Sequence, residues 1–180
     1  ISNKKKLHKT ILNSIIDALD ATFNEDYYAD KVVERILKYK KKWGARDRKL
    51  FAEAFYDIVR YWNKILFCIN PEDKNNLTDK IFWQAVAIWL TINEYEIPDW
   101  EEFDDLNTER HVKKYTTMEL PPHISVAVPE WLYDYGSEQL GKEAWTNILN
   151  SMNKKANIYL RVNTNKIDKL ELQSKLKEEG

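Results

Sequence analysis

Apolar residues recur at steps of three and four through the first half of the chain, which is the spacing of one buried face of an α-helix. We predict helices over residues 7–23, 28–43, 47–69 and 79–92. Gly44 is expected to end the second helix, after three lysines that suit the negative end of a helix dipole. The apolar stripe over 47–69 is the longest and predicts a helix at the centre of a bundle.

The helical spacing weakens after residue 92. Pro98 and the acids around it break the pattern over residues 95–125, where one short helix near 108–115 is expected. Consecutive prolines at 121 and 122 predict an extended linker and a boundary between two parts of the chain. Helical spacing resumes at Pro129, a favoured first residue of a helix, and continues to residue 152. Its expected inner side consists of Trp131, Leu132, Tyr135 and Leu140.

A β-strand is predicted at residues 157–163, where apolar and polar side chains alternate. Asp168 and Glu171 then have the spacing of a capping box at the start of a last helix. A single strand leaves its backbone donors and acceptors unpaired. We therefore expect it to pair either with chain beyond Gly180 or with a second molecule, as in a dimer formed through residues 157–163.

These elements predict a mainly α protein. Residues 1–120 form a helical bundle, residues 121–156 a helical connector, and residues 157–180 the first β–α unit of a truncated α+β domain. The chain has only four glycines and five prolines, which agrees with long helices rather than many strands and turns.

The net charge of −1 conceals a separation of charge along the chain. Residues 1–60 carry a net +5, whereas residues 93–109 contain eight acids and no base. The acidic run is interpreted as a solvated segment that packs against the basic block, or as a contact for a protein partner. Its paired carboxylates lack the apolar surroundings that acid–base catalysis requires.

The densest group of cations surrounds the turn after the second helix and is a candidate RNA-binding patch. Its members are Lys40, Lys41, Lys42, Arg46, Arg48 and Lys49. The alternative is a solvated helix end that the helix dipole favours. Arg60 lies three turns after Arg48 on the third helix and is a further candidate, unless it pairs with Glu53 or Asp57 and stabilises the bundle.

Other site chemistries are disfavoured by the residues themselves. Cys68 lies in an apolar helix, where burial should raise its pKa and leave the thiol unreactive. His8, His111 and His123 are scattered, so no metal site is expected. The lone cysteine, together with the lack of a signal peptide and of a long apolar run, predicts a cytoplasmic protein that does not span a membrane.

Three stretches resemble the RsmB/NOP (Fmu/Sun) family of RNA cytosine-5 methyltransferases. Residues 125–132 (Ser-Val-Ala-Val-Pro-Glu-Trp-Leu) and residues 160–166 (Leu-Arg-Val-Asn-Thr-Asn-Lys) are similar to segments ahead of that family's catalytic domain. Residues 47–60 (Asp-Arg-Lys-Leu-Phe-Ala-Glu-Ala-Phe-Tyr-Asp-Ile-Val-Arg) resemble a helix of its NusB-like N-terminal domain. The likeness covers most of residues 27–70 and 125–180.

The resemblance implies transfer of a methyl group from S-adenosylmethionine to carbon 5 of a cytosine in rRNA. It also implies that the bundle is NusB-like and contacts RNA or protein. The family's Gly-rich methyl-donor loop and its Cys beside a Pro do not occur here. Catalytic and cofactor-binding residues are therefore expected beyond Gly180, in a catalytic domain that this chain would contact.

The same resemblance makes Arg161, Asn163 and Lys166 further RNA candidates, at the predicted strand and just after it. Asn163 has the alternative role of satisfying backbone groups in a turn. Two rival functions remain open. One is a non-enzymatic NusB-like module that binds RNA or a protein partner in transcription or ribosome assembly, and the other is a protein scaffold that uses the acidic segment.

Overall fold

A computed structural model of the chain describes residues 7–72, 77–154, 156–157 and 159–179. The described residues are mainly helical, as predicted, and none of these helices is long and apolar enough to cross a membrane. The α-helices are α1 (Lys9–Phe23), α2 (Ala29–Tyr39), α3 (Ala45–Arg60), α4 (Trp62–Ile69), α5 (Asp79–Ile92), α6 (Thr108–Thr117), α7 (Pro122–Ser125), α8 (Glu130–Leu140), α9 (Lys142–Met152) and α10 (Lys169–Glu179).

The main core lies where α1, α3 and α5 pack against one another. Phe51 and Phe55 of α3 are fully buried there, with their rings stacked at a centroid distance of 6.1 Å. The predicted central position of this apolar stripe is confirmed. However, α5 is buried more completely, because between Ile81 and Leu90 every residue except Gln84 is buried. Burial of so many large apolar side chains is the main source of the bundle's stability.

The helix predicted over residues 47–69 is two helices rather than one. The backbone departs from helical geometry at Tyr61, where φ is −98° and ψ is 19°. Just after this break, Trp62 stacks on Phe23 at a centroid distance of 4.2 Å and approaches Phe82 at 5.9 Å. Helical periodicity alone could not reveal the break, because the apolar stripe continues through it.

The second helix ends earlier than predicted, at Tyr39. Lys40 follows with a ψ of 57°, outside the helical range, and the chain turns before α3 begins. Gly44 is therefore the N-cap of α3 and not the end of α2, and its φ of −73° makes no use of glycine's freedom.

The acidic segment, residues 93–109, is attached to the bundle by its apolar residues. Leu106 is buried, and Trp83 meets the edge of Phe103 at a centroid distance of 5.1 Å. A short 3₁₀-helix, Glu101–Phe103, contacts α5. Glu102 pairs with Lys9 at 2.6 Å, so the expected contact between the acidic segment and the basic N-terminal block is confirmed at this position.

A second, small core lies between α8 and α9, and consists of Val126, Tyr133 and Leu149 with partly buried Val128 and Trp145.

Three predictions fail in this region. Residues 122–125 form the short helix α7 instead of continuing an extended linker, and Pro129 is the N-cap of α8, not its first residue. The buried side of α8 is Tyr133 and Gly136, whereas Trp131, Tyr135 and Leu140 are exposed. The inner side of α8 was predicted wrongly, because Trp131 and Tyr135 have the spacing of a buried helix face although both are exposed.

The described residues of 157–163 do not form a β-strand. Strand geometry is stabilised by hydrogen bonds to a neighbouring strand, and the described residues supply no such neighbour. Asp168 accepts a hydrogen bond from the Leu170 N–H at 2.8 Å and so caps α10 as predicted. Glu171 does not complete the capping box, because its carboxylate pairs with Lys175 at 2.9 Å. Among the described helices, α10 contacts no other.

Candidate nucleic-acid interface

Four cations predicted for RNA binding are exposed together on the turn between α2 and α3 and on the first turns of α3. They are Lys41, Lys42, Arg46 and Lys49, and we call them the turn patch. Lys41 and Lys42 lie on the turn itself, and Arg46 and Lys49, three residues apart, lie on one side of the first turns of α3. Their exposure means that the core does not require them.

Arg48 was predicted as part of the same cluster, but its side chain is used inside the protein. Its Nε donates a hydrogen bond to the Trp43 carbonyl at 3.1 Å, and its terminal nitrogen donates to the Lys40 carbonyl at 3.4 Å. The guanidinium thereby holds both sides of the turn, an arrangement that its fixed fork of donors allows. Arg48 is thus a residue that shapes the turn patch rather than a free member of it.

The helix dipole favours only part of the turn patch. Lys41 and Lys42 follow the C-terminal end of α2, where a helix favours cations. Arg46 and Lys49 lie near the N-terminus of α3, where the partial charge of a helix is positive and disfavours cations. No side chain caps this end, and Asp47 is the one acid in the first turn. Lys49 is partly offset by Glu53 at 3.8 Å, although both side chains remain largely exposed. Such a surface is suited to an anion, since unpaired backbone N–H groups at a helix start add to the cations.

A groove between α1 and α2 adjoins the turn patch through Lys40, which lines it. Its other lining residues are Ser14, Asp17, Arg35, Ile36, Lys38 and Tyr39, around a volume of about 590 Å³. Arg35 and Lys38 were not predicted from the sequence as site residues. A signal was present, because Lys31, Arg35 and Lys38 recur at helical spacing on the side of α2 opposite buried Val33.

Arg60 is exposed but belongs to a different surface. It lines a groove of about 480 Å³ together with Glu53, Asp57, Trp89 and Asn153, among other residues. Asp57 accepts a hydrogen bond from the Trp89 indole N–H at 3.1 Å. Carboxylates beside Arg60 lower the local positive charge, so the structure does not add Arg60 to the turn patch.

The C-terminal candidates are not brought to the turn patch either. Arg161, Asn163 and Lys166 are exposed in and after the segment that leads to α10. The Asn163 side-chain oxygen accepts a hydrogen bond from the Asn165 N–H at 3.2 Å. The expectation that Asn163 satisfies turn backbone is therefore confirmed. A groove of about 620 Å³ beside α10 is lined by Leu160, Val162, Leu172 and Leu176 and bordered by lysines.

Cys68 is fully buried, and burial raises the pKa of its thiol, although nearby Lys64 and Lys114 act in the opposite direction. Burial also lowers the pKa of Lys64, whose amine lies 3.9 Å from the centre of the Tyr115 ring. A protonated thiol in a packed helix is a poor nucleophile. The prediction that Cys68 is a buried residue with a raised pKa is confirmed.

Residues 128–180 match a family model described as the ferredoxin-like domain of RsmF/B-like methyltransferases. The match covers less than a third of the chain, and includes α8, α9, α10 and the extended segment between them. It supports a relationship of this part to RsmF/B-type methyltransferases. It does not extend to the residues resembling a NusB-like domain, so that assignment stays a prediction. Neither a search of curated proteins nor a search of solved structures found a match.

Proposed function

We propose that this chain is the front part of an S-adenosylmethionine-dependent rRNA (cytosine-5) methyltransferase, in which it binds and positions RNA. The match of residues 128–180 to an RsmF/B-like domain is the observation that carries the methyltransferase assignment. The turn patch supports the RNA-binding role. Methyl transfer and the binding of S-adenosylmethionine would belong to a catalytic domain outside these 180 residues, to which this chain would be joined.

The role assigned to the turn patch is contact with phosphates. Cations on an exposed turn neutralise phosphate charge and release counterions, which gives affinity that depends little on sequence and strongly on salt. Such contacts hold an RNA in position, while the choice of base is made elsewhere. Arg48 contributes indirectly, because its two hydrogen bonds to backbone carbonyls hold the turn on which Lys41 and Lys42 lie.

Binding of the chain to structured rRNA at low and at moderate salt tests the RNA-binding role. Replacing Lys41, Lys42, Arg46 and Lys49 together by Gln should weaken binding by roughly tenfold or more at low salt and flatten the salt dependence. The matched control replaces four exposed lysines outside the turn patch by Gln, namely Lys31, Lys80, Lys113 and Lys142.

The turn-patch variant and the control variant each lose four positive charges. A larger loss of RNA affinity in the turn-patch variant therefore reports the position of the charges and not their number. Equal loss in the two variants, or no binding by the unaltered chain at low salt, would contradict the proposed role. Circular dichroism should show the same helix content in all three proteins, since every replaced side chain is exposed.

The methyltransferase assignment has a separate test in the gene. The reading frame after Gly180 should continue, with a Gly-rich loop after a strand and a Cys beside a Pro. A stop codon directly after Gly180 would remove the basis for a catalytic domain in the same polypeptide.

A further inference from the structure

The groove between α1 and α2 combines a concave shape with an excess of positive charge. Arg35, Lys38 and Lys40 line it, against a single carboxylate from Asp17. Lys41 and Lys42 of the turn patch follow directly along the chain. The volume of about 590 Å³ lies within the range of small-molecule sites. The excess of positive charge therefore favours an anionic ligand, and the volume admits a ligand part of small-molecule size into the groove.

The cations are held along α2. The guanidinium carbon of Arg35 lies 5.2 Å from the centre of the Tyr27 ring, and the amine of Lys40 lies 5.9 Å from the centre of the Trp43 ring. Contacts of this kind restrict long side chains that would otherwise sample many rotamers. A ligand that meets them loses less conformational entropy than it would on free surface lysines.

Tyr39 is the unusual residue of the groove. It is the last residue of α2 and is 84% exposed, although it is a large aromatic side chain beside the partly buried Ile36. Most aromatic side chains of the bundle are buried or partly buried, whereas Tyr39 is not, so its position is not set by the needs of the core. An exposed aromatic ring beside cations is the arrangement on which unpaired bases stack, because every base has a π-face.

We propose that this groove receives the base of an unpaired RNA nucleotide, stacked on Tyr39, while the turn patch follows the adjoining phosphates. The inference rests on the proposed function, since it names the form of RNA that the basic surface selects. Asp17 orients the ligand, because its carboxylate repels a phosphate from the α1 side of the groove and leaves the phosphates to Lys38, Lys40 and the turn patch. A base inside a duplex is stacked on its neighbours and cannot reach Tyr39.

The test compares a short single-stranded RNA with a duplex of the same sequence, using fluorescence anisotropy at low salt. Tyr39→Ala should weaken binding of the single strand by roughly 5- to 150-fold, the factor that corresponds to one stacked base. Duplex binding should remain within about twofold, because phosphate contacts are unchanged. Tyr39→Phe keeps the ring and should bind the single strand as the unaltered chain does.

The chain offers close controls for each substitution. Tyr28 is 81% exposed at the other end of α2, so Tyr28→Ala removes an equally exposed ring outside the groove. Lys38→Gln should weaken binding of the single strand more than Lys31→Gln, which removes an exposed lysine near the start of the same helix. Asp17→Asn should strengthen binding, since it removes the only carboxylate among the lining residues.

Two outcomes overturn the inference, and they differ in what else they overturn. If Tyr39→Ala and Tyr28→Ala bind the single strand equally, or if Tyr39→Ala weakens single strand and duplex alike, the groove proposal is wrong while the proposed RNA-binding role stands. If the unaltered chain binds neither RNA at low salt, both proposals are wrong.

Discussion

The bundle of α1 to α6 and the chain after residue 120 differ in how much apolar surface they bury. The bundle encloses a continuous core that extends from Ile11 to Leu106, whereas the core between α8 and α9 has three buried residues. Yet the family match lies in the second region. The difference teaches that the part of this chain most informative about its relatives is not the part that holds it folded.

The physical basis of the difference is the number of neighbours that each helix can pack against. In the bundle, α5 contacts α1, α3, α4 and α6, so nearly all of its sides are covered. In the second region, α8 and α9 contact each other, and α10 contacts no other described helix. Leu170 and Leu176 are therefore exposed despite their apolar character. Stability should consequently be concentrated in the bundle.

The largest effect is expected from a cavity in the bundle core. Phe55→Ala removes a fully buried ring that packs against Phe51, and should lower the free energy of unfolding by about 3–5 kcal/mol. Urea denaturation followed by circular dichroism measures the change. Leu176→Ala is the matched control in the second region, where the side chain is 44% exposed and the change should stay within about 0.5 kcal/mol. Similar losses in the two variants would break the comparison.

A smaller and local effect is expected at Gly136, a buried glycine inside α8. A Cβ at this position would collide with the Trp145 indole on α9, so Gly136→Ala must separate the two helices or tilt the ring. Overpacking of this kind costs about 1–3 kcal/mol. Hydrogen exchange should become faster in α8 and α9 and stay unchanged in α1, α3 and α5.

Gly44→Ala is the control for this substitution. A Cβ at Gly44 meets no atom within 4 Å, and the exchange pattern of α8 and α9 should not change. If Gly136→Ala instead accelerates exchange throughout the bundle, the two regions unfold as one cooperative unit and the comparison fails.

The smallest effect is a dependence of bundle stability on pH through His111, a buried residue of α6. Burial lowers the pKa of its imidazole, and the nearby charges of Lys114 and Arg110 act in the same direction. The unfolded chain therefore takes up a proton as the pH falls below about 6.5, before the folded protein does. The contribution of His111 to the free energy of unfolding is fully present above about pH 6.5. It is lost as the pH falls from there to the lowered pKa of the folded state.

Thermal unfolding at several pH values between about 7 and 5 measures this dependence. His111→Gln should flatten the profile in that window, whereas His8→Gln, which replaces an exposed residue, should leave it unchanged. A profile that is identical in the unaltered protein and in His111→Gln would show that other groups determine the pH response.

Several features of this protein follow from the sequence by itself. Apolar spacing predicted α1 and the core position of α3, because a helix with one buried face requires this period. It also predicted α5, although that helix is covered on nearly all of its sides. The burial of Cys68 and the turn role of Asn163 were also predictable, since each depends on immediate neighbours. The exposure of the turn patch was predictable for the same reason, because cations at a turn and at the start of a helix are seldom buried without partners.

Other features were decided only by tertiary structure. The break at Tyr61 depends on where Phe23 and Phe82 lie, and the buried side of α8 depends on how closely Trp145 approaches Gly136. The internal use of Arg48 depends on carbonyls that α2 exposes where it ends, and the groove at Tyr39 exists only because α1 packs beside α2. The segment at 157–163 has the alternating pattern of a strand, but hydrogen bonds to a neighbouring strand make a strand, and a pattern within one segment cannot supply them.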